Sequence, residues 1–219
     1  MDLGLYVITA SVPELGRDHY DVAVAAIEGG ADTIQLRIKR RSMGEALKIA
    51  KAIHEITLQA GIPLIINDHV GIAMASKAEG LHVGPDDLPV TAALRMLGRG
   101  KFVGKSANKH DAAVKAEQEG AGYVGAGPVF ATPTKPGKIP VGPGRITKVK
   151  ALLNIPVIAI GGINAANVAD CIAAGADGVA VVSSVAMAED MVAATRELKE
   201  ALMDARSSAI RRRAAGGMV

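Results

Sequence analysis

Arg37 and Lys39 are the residues of this sequence best suited to bind an anion. They alternate with Leu36 and Ile38 after an apolar run, so they share one face of an extended segment with Gln35. Polar groups on an inward face cost free energy unless they meet a ligand or an ion partner. We therefore expect an anion site here, in preference to an ordinary pair of surface cations.

Two carboxylates, Asp68 and Asp87, are candidates for holding a divalent cation. Asp68 follows Asn67 at the end of one apolar run, and Asp87 follows the next run, beside Asp86, which we expect to face solvent. Magnesium is typically held by one or two carboxylates together with substrate phosphate oxygens. Taken alone, Asp68 would be interpreted as the N-cap of the following helix. The second carboxylate favours a metal-bound diphosphate instead.

The stretch 127–144 is rich in proline and glycine and is too long for an ordinary loop between a strand and a helix. It contains Thr132, Thr134 and Lys135, two hydroxyls and an ammonium that could fold over an anionic substrate. Long loops of this kind are usually functional, and proline limits their conformational freedom. A merely polar and flexible loop is the alternative interpretation.

Three further positions could bind phosphate oxygens. Ser106 follows one apolar run, while Gly162 and Ser183 follow the last two runs of the chain. Glycine lets backbone N–H groups approach a phosphate closely. No Ser-His-Asp or Cys/His arrangement is visible at these positions, and a reaction driven by loss of diphosphate needs neither.

The elements that must position these residues alternate regularly between two hydrophobic periodicities. Continuously apolar runs predict parallel strands covered on both faces. The strands are predicted at 5–9, 33–38, 63–66, 80–83, 101–104, 122–126, 156–160 and 178–182. The helices are predicted at 20–28, 44–60, 69–77, 90–97, 111–119, 145–153, 165–174 and 190–205. This order predicts an α/β fold, a single-domain (β/α)8 TIM barrel over residues 1–205, whose strand ends gather the candidate residues at one mouth.

Composition narrows the classes of function. Aromatic residues make up 2% of the chain, too few for a surface that stacks nucleic-acid bases. The net charge of +3 comes from the Arg-rich segment 206–219, without which 21 basic side chains face 22 acidic ones. We expect this tail to be frayed rather than a nucleic-acid arm. The lone Cys171 is expected in the core, and with no apolar run long enough to cross a bilayer we expect a cytoplasmic protein.

Eight motifs carry a resemblance to a known family. In chain order they are Leu-Tyr-Val-Ile-Thr (5–9), Gln-Leu-Arg-Ile-Lys (35–39), Asn-Asp (67–68), Glu-Gly-Leu-His-Val-Gly-Pro-Asp-Asp-Leu-Pro (79–89), Gly-Lys-Ser (104–106), Gly-Pro-Val-Phe-Ala-Thr-Pro-Thr-Lys (127–135), Ala-Ile-Gly-Gly-Ile (159–163) and Gly-Ala-Asp-Gly-Val-Ala-Val-Val-Ser (175–183). They resemble the thiamine phosphate synthase family and span the whole barrel except the tail.

This resemblance implies a transferase that couples 4-amino-5-hydroxymethyl-2-methylpyrimidine diphosphate with hydroxyethylthiazole phosphate, giving thiamine phosphate and diphosphate. It assigns the pyrimidine diphosphate to Gln35, Leu36, Arg37, Ile38, Lys39, Asn67, Ser106 and Lys135. It assigns Mg²⁺ to Asp68 and Asp87, and the thiazole phosphate to Thr132, Pro133, Thr134, Gly162, Val182 and Ser183. Arg37, Lys39, Ser106 and Lys135 are the expected catalytic residues, and the three cations among them would neutralise the departing diphosphate.

Four positions differ from the residues that are common in the family: Ala10, Ile38, Pro85 and Asn108. None of them is an expected metal ligand or lysine. We expect His82 to be a packed or hydrogen-bonded residue of the barrel rather than a general base.

Three alternative functions stay open at this point. They are a thiazole tautomerase, another phosphate-binding barrel isomerase or epimerase, and a catalytically silent ligand-binding barrel. An isomerase has no use for a diphosphate clamp, so the tautomerase is disfavoured by Asn67, Asp68, Lys39 and the motif Thr-Pro-Thr-Lys (132–135). The expected partners are small-molecule substrates, without nucleic acid or membrane. Outer helices rich in Ala and Val are compatible with a homo-oligomer and equally with internal packing.

Overall fold

Eight parallel strands close into a barrel in chain order, and β1 pairs with both β2 and β8. The computed structural model describes residues 2–216 apart from 40, 108, 133, 135, 136 and 138. The strands are β1 Leu5–Ile8, β2 Thr33–Leu36, β3 Leu64–Asn67, β4 Gly80–Val83, β5 Phe102–Ser106, β6 Tyr123–Ala126, β7 Val157–Ile160 and β8 Gly178–Val181. The (β/α)8 barrel expected from the sequence is confirmed.

Nine α-helices of the described chain surround the strands, and a 3-10 helix, Pro13–Leu15, precedes the first of them. The α-helices are α1 His19–Glu28, α2 Met43–Ala60, α3 Val70–Ser76, α4 Val90–Leu97, α5 His110–Gln118, α6 Pro143–Lys150, α7 Val168–Ala173, α8 Ser183–Ala186 and α9 Met191–Gly216. Capping boxes at Asp18 and Ser42 explain where α1 and α2 begin, since each side chain accepts a hydrogen bond from the first turn. Gly61, at φ 69°, ends α2 in the left-handed region that glycine tolerates.

The core has two layers, because successive side chains of a strand point to opposite sides. The larger layer lies between strands and helices and includes Cys171, whose thiol pKa burial raises to about 12. The smaller layer fills the barrel interior with Leu3, Tyr6, Ile8, Ile65, Tyr123, Ile158 and Ala180. Cys171 therefore has the core position that the sequence predicted.

Two helices differ from the sequence prediction. The short α8 after β8 was not predicted, because four residues are too few to show a helical period. The last helix does not end at residue 205, since α9 continues to Gly216 across the boundary of the expected frayed tail. Arg206 lies on this helix and forms a salt bridge of 2.9 Å with Asp2. Neither α9 nor any other described helix is apolar and long enough to span a membrane.

Substitution of two glycines, one in the barrel interior and one on the surface, tests how tightly the interior is packed. A Cβ at Gly104 would lie 2.0 Å from Cζ of Tyr123, whereas a Cβ at Gly71 would meet no atom within 4 Å. We expect Gly104→Ala to lower the free energy of unfolding by about 1–3 kcal/mol through overpacking. Gly71→Ala, in the exposed helix α3, should raise it by about 0.5–1 kcal/mol. Urea denaturation measures both, and an equal effect of the two changes would contradict the packing described here.

Candidate active site

A cavity of about 240 Å³ opens at the carboxyl-terminal ends of the strands. Residues on or after each of the eight strands line it. Its polar lining includes Gln35, Arg37, Lys39, Asn67, Asp68, His82, Asp87, Ser106, Thr132, Thr134 and Ser183. Most of the candidate residues therefore meet at one mouth, where this fold places its active sites.

The end of β2 presents alternate side chains to the cavity. Gln35, Arg37 and Lys39 line it, whereas Leu36 and Ile38 are buried in the core between strands and helices. The side chains of Leu36 and Ile38 therefore lie away from the cavity, and the assignment of residues 35–39 to the substrate stays a prediction. Burial lowers the pKa of the half-buried Arg37, and the carboxylate of Asp68 opposes this shift.

Asp68 and Asp87 face one another across the ends of β3 and β4. Burial raises the pKa of Asp68 first, and a hydrogen bond and repulsion from Asp87 raise it further, while Lys39 acts in the opposite direction. Asp68 has a left-handed backbone, with φ 64°, and its N–H donates to the carbonyl of His82 at 2.8 Å. The alternative N-cap role is wrong, because α3 is preceded by His69 and has no side-chain cap.

A short turn holds the Asp87 carboxylate. The N–H of Gly84 donates to Oδ2 of Asp87 at 2.7 Å, and Nζ of Lys105 donates to the carbonyl of Gly84 at 2.7 Å. A Cβ on residue 84 would lie 2.9 Å from that carboxylate oxygen, so the absent side chain permits this turn. Asp86 is exposed and does not line the cavity, as expected from the sequence.

The barrel interior contains two tyrosines that the sequence analysis missed, Tyr6 and Tyr123, of which Tyr123 lines the cavity. Oη of Tyr6 and Oη of Tyr123 are 2.8 Å apart, and both side chains are 1% exposed. Nδ1 of His82 lies 2.8 Å from Oη of Tyr123, and its Nε2 lies 2.8 Å from Oγ of Ser106. His82 is therefore a hydrogen-bonded barrel residue, as predicted. Inward alternation within β1 and β6 was the available signal for the tyrosines.

Glycine and serine form the opposite wall of the cavity. Gly161 and Gly162 have φ of 99° and 68°, and a Cβ on Gly162 would lie 2.3 Å from the carbonyl oxygen of Ala131. Gly162, Val182 and Ser183 line the cavity together. This wall combines exposed backbone with a hydroxyl, which suits a phosphate group.

The long loop after β6 is tied down at its start. The N–H groups of Val129 and Phe130 donate to the carbonyls of Ile160 and Gly161, each at 2.9 Å. Beyond this, Thr132 and Thr134 line the cavity. Pro133 and Lys135, which the sequence also assigned to the site, and Asn108 lie outside the described residues.

The side chains that could ligate a metal ion limit the kind of metal site that this cavity can form. Within the described part of the chain, no group of three or more His, Cys, Asp or Glu side chains is arranged to hold a metal ion. Asp68 and Asp87 form a pair of oxygen donors, which is the kind of set that leaves positions for water and substrate oxygens.

Comparisons with known proteins show the family and the fold of this chain. The family model described as thiamine monophosphate synthase matches residues 5–185. The thiamine-phosphate synthase of Chloroflexus aurantiacus is 46% identical over 91% of this chain and 92% of its own length. That of Methanoculleus marisnigri is 46% identical over 94% and 99%. The solved thiamine phosphate pyrophosphorylase of Pyrococcus furiosus is 35% identical, with a TM-score of 0.85 over 93% of this chain and 97% of that one.

Proposed function

The chain belongs to the thiamine monophosphate synthase family and is a transferase that forms thiamine phosphate with release of diphosphate, and we propose how its cavity does so. The pyrimidine diphosphate binds along the ends of β2 to β5, and the thiazole phosphate binds along the ends of β7 and β8. The observation that carries this proposal is the approach of Asp68 and Asp87 beside Arg37. In this cluster the two carboxylates would hold the metal ion, and the guanidinium of Arg37 would bind the diphosphate attached to it.

The residues present fit Mg²⁺. Two carboxylates this close repel each other, and this repulsion adds to burial, the larger cause, in raising the pKa of Asp68. A cation between them would relieve that repulsion. Both donors are hard oxygen atoms, which Mg²⁺ prefers, and two protein ligands leave room for diphosphate oxygens and water. When bound, Mg²⁺ would neutralise charge on the diphosphate and make it a better leaving group.

The chain's own cations orient and neutralise the diphosphate. Arg37 is half-buried and offers a fork of donors, and Lys39 is an exposed point charge at the same mouth. The C–O bond between the pyrimidine methylene and the diphosphate breaks, and its electron pair leaves with the diphosphate. The resulting cation is stabilised by the aminopyrimidine ring, and the thiazole nitrogen then forms the new C–N bond. Lys135 stays a predicted participant.

Apolar side chains hold the rings and exclude water. Ile8, Ile158 and Ile160 line the cavity. Water would capture a pyrimidine methyl cation, so a dry space that aligns the two substrates favours the thiazole as the attacking group. The protein acts mainly by positioning and by electrostatic stabilisation, in accord with a site that needs no nucleophile.

Ser183 tests the assignment of the thiazole phosphate. Because its hydroxyl would donate to a charged phosphate oxygen, we expect Ser183→Ala to raise the KM for the thiazole phosphate by about 10-fold. The KM for the pyrimidine diphosphate should stay unchanged. Steady-state kinetics with each substrate varied in turn measures this, and Ser207→Ala, on the exposed face of α9, is the control. An equal rise of both KM values would contradict separate sites.

The reaction itself is tested with purified protein, both substrates, and Mg²⁺ present or removed. Diphosphate release that needs Mg²⁺ and the thiazole phosphate is the expected result. Conversion of the thiazole phosphate alone would indicate an isomerase, and tight binding without turnover would indicate a silent barrel. The cytoplasmic location and the homo-oligomer stay predictions, as does the absence of nucleic-acid and membrane partners.

A further inference from the structure

Five polar side chains form a continuous hydrogen-bonded chain under the cavity, which we call the tyrosine chain. Nε2 of Gln35 donates to Oη of Tyr6 at 2.7 Å, and Oη of Tyr6 lies 2.8 Å from Oη of Tyr123. Oη of Tyr123 lies 2.8 Å from Nδ1 of His82, and Nε2 of His82 lies 2.8 Å from Oγ of Ser106. The tyrosine chain therefore joins the end of β2 to the end of β5 through the barrel interior.

The amide of Gln35 gives this chain a direction at its first link. The amide nitrogen can only donate, so Tyr6 accepts from it. Within the described residues, the Tyr6 hydroxyl has Tyr123 as its other partner. A buried hydroxyl hydrogen without an acceptor is costly, so the hydrogen of Tyr6 goes to Tyr123.

The direction of donation continues to the last link, between His82 and Ser106. Tyr123 accepts from Tyr6, so it places its own hydrogen on Nδ1 of His82, its other hydrogen-bond partner in the described chain. A neutral imidazole that accepts at Nδ1 carries its hydrogen on Nε2. Nε2–H of His82 then donates to Oγ of Ser106.

We propose that Tyr6 and Tyr123 are positioning residues that fix His82 as the Nε2–H tautomer and thereby turn the hydroxyl hydrogen of Ser106 toward the substrate. Ser106 lines the cavity, and in this tautomer its Oγ accepts the hydrogen bond from His82. Its hydrogen is thus available to an acceptor on the ligand. In the Nδ1–H tautomer, the hydroxyl of Ser106 would donate to Nε2 of His82. The lone pairs of Oγ would then face the anion and repel it.

The ligand half of this inference rests on the proposed function, since it makes a diphosphate oxygen the acceptor. A hydrogen bond to an ionised acceptor is stronger than one between neutral groups. The tautomer half rests on the protein alone. The two halves are therefore measured separately.

The tautomer is measured by ¹⁵N NMR of histidine-labelled protein at neutral pH without ligand. The chain has five histidines, and a His82→Asn variant identifies the His82 ring signals by their loss. We expect the shifts of a neutral ring protonated at Nε2. A ring protonated at Nδ1, or at both nitrogens, would overturn the proposal, whatever the activity of the protein.

The tyrosines provide a matched pair of variants. The chain has three tyrosines, and Tyr20 is 39% exposed and lies outside the tyrosine chain. Tyr123→Phe should change the His82 ring shifts and weaken the binding of inorganic diphosphate with Mg²⁺ by about 10-fold. Tyr20→Phe should change neither. Unchanged His82 shifts in a folded Tyr123→Phe protein would overturn the proposal.

The outcome is separable from that for the proposed function. If diphosphate release by the wild-type protein needs Mg²⁺ and both substrates but His82 is protonated at Nδ1, only the present inference fails. If His82 has the expected tautomer but no diphosphate is released, the proposed function fails and the tautomer assignment stands. If Tyr123→Phe does not fold, the wild-type tautomer alone decides.

Discussion

Asp87→Asn should lower kcat by about 10³-fold or more, because it removes one of the two carboxylates proposed to hold Mg²⁺ against the diphosphate. The substitution keeps the size of the side chain and an oxygen that can still accept from the N–H of Gly84. The barrel should therefore fold with an unchanged Tm. Steady-state turnover at a series of Mg²⁺ concentrations measures the effect, and the apparent affinity for Mg²⁺ should fall with kcat.

Asp86→Asn is the matched control for this change. Asp86 is adjacent in sequence and exposed, but it does not line the cavity. It removes the same formal charge from the same turn, so it should leave kcat and the Mg²⁺ dependence within about twofold of the wild-type values. Near wild-type turnover of Asp87→Asn, or an equal loss in both variants, would contradict the metal assignment.

Arg37→Met should lower kcat/KM for the pyrimidine diphosphate by about 10²–10³-fold. Arg37 is half-buried, and the burial that lowers its pKa also reduces the screening of its charge by water. Methionine keeps an apolar stem and loses the charge and the donors. Arg37→Lys should recover part of the loss, because a lysine supplies a point charge but not a bidentate fork. Kinetics with the thiazole phosphate saturating measures both variants.

Arg41→Met is the control for the loss of positive charge on this side of the barrel. Arg41 is exposed and does not line the cavity. If long-range attraction of anions explained the effect, Arg41→Met would reduce kcat/KM as strongly as Arg37→Met, and both reductions would shrink in high salt. A large loss confined to Arg37→Met supports direct contact with the diphosphate.

The sequence was sufficient for the barrel and for most of the mouth. Strand and helix periodicities are local properties, so they could be recognised without knowing any distance between elements. Parallel strands with helical crossovers then place all strand ends on one side. This reasoning brought Gln35, Asn67, Ser106 and Gly162 to one cavity, where the structure also has them.

The local pattern also separated two faces that the family motif combines. Alternation puts Arg37 in the cavity and Ile38 in the core, and the structure agrees. The resemblance assigned residues 35–39 to the substrate as one segment, and that assignment stays a prediction. The continuation of α9 beyond residue 205 was missed for another reason. The Arg-rich segment has too few large apolar residues to reveal a helical period, although Ala209 packs against the core and helical backbone persists to Gly216.

Contacts between distant parts of the chain needed the tertiary structure. Tyr6 and Tyr123 are 117 residues apart, and their hydroxyls meet because the barrel closes and Gly104 leaves room for the ring of Tyr123. The sequence alone determined the order of elements and which side chains point inward, because both follow from periodicity along one strand. The proximity of Asp68 and Asp87 was expected from neighbouring strand ends. Only the tertiary structure decided that the hydroxyls of Tyr6 and Tyr123 touch, since that depends on register and curvature around the closed sheet.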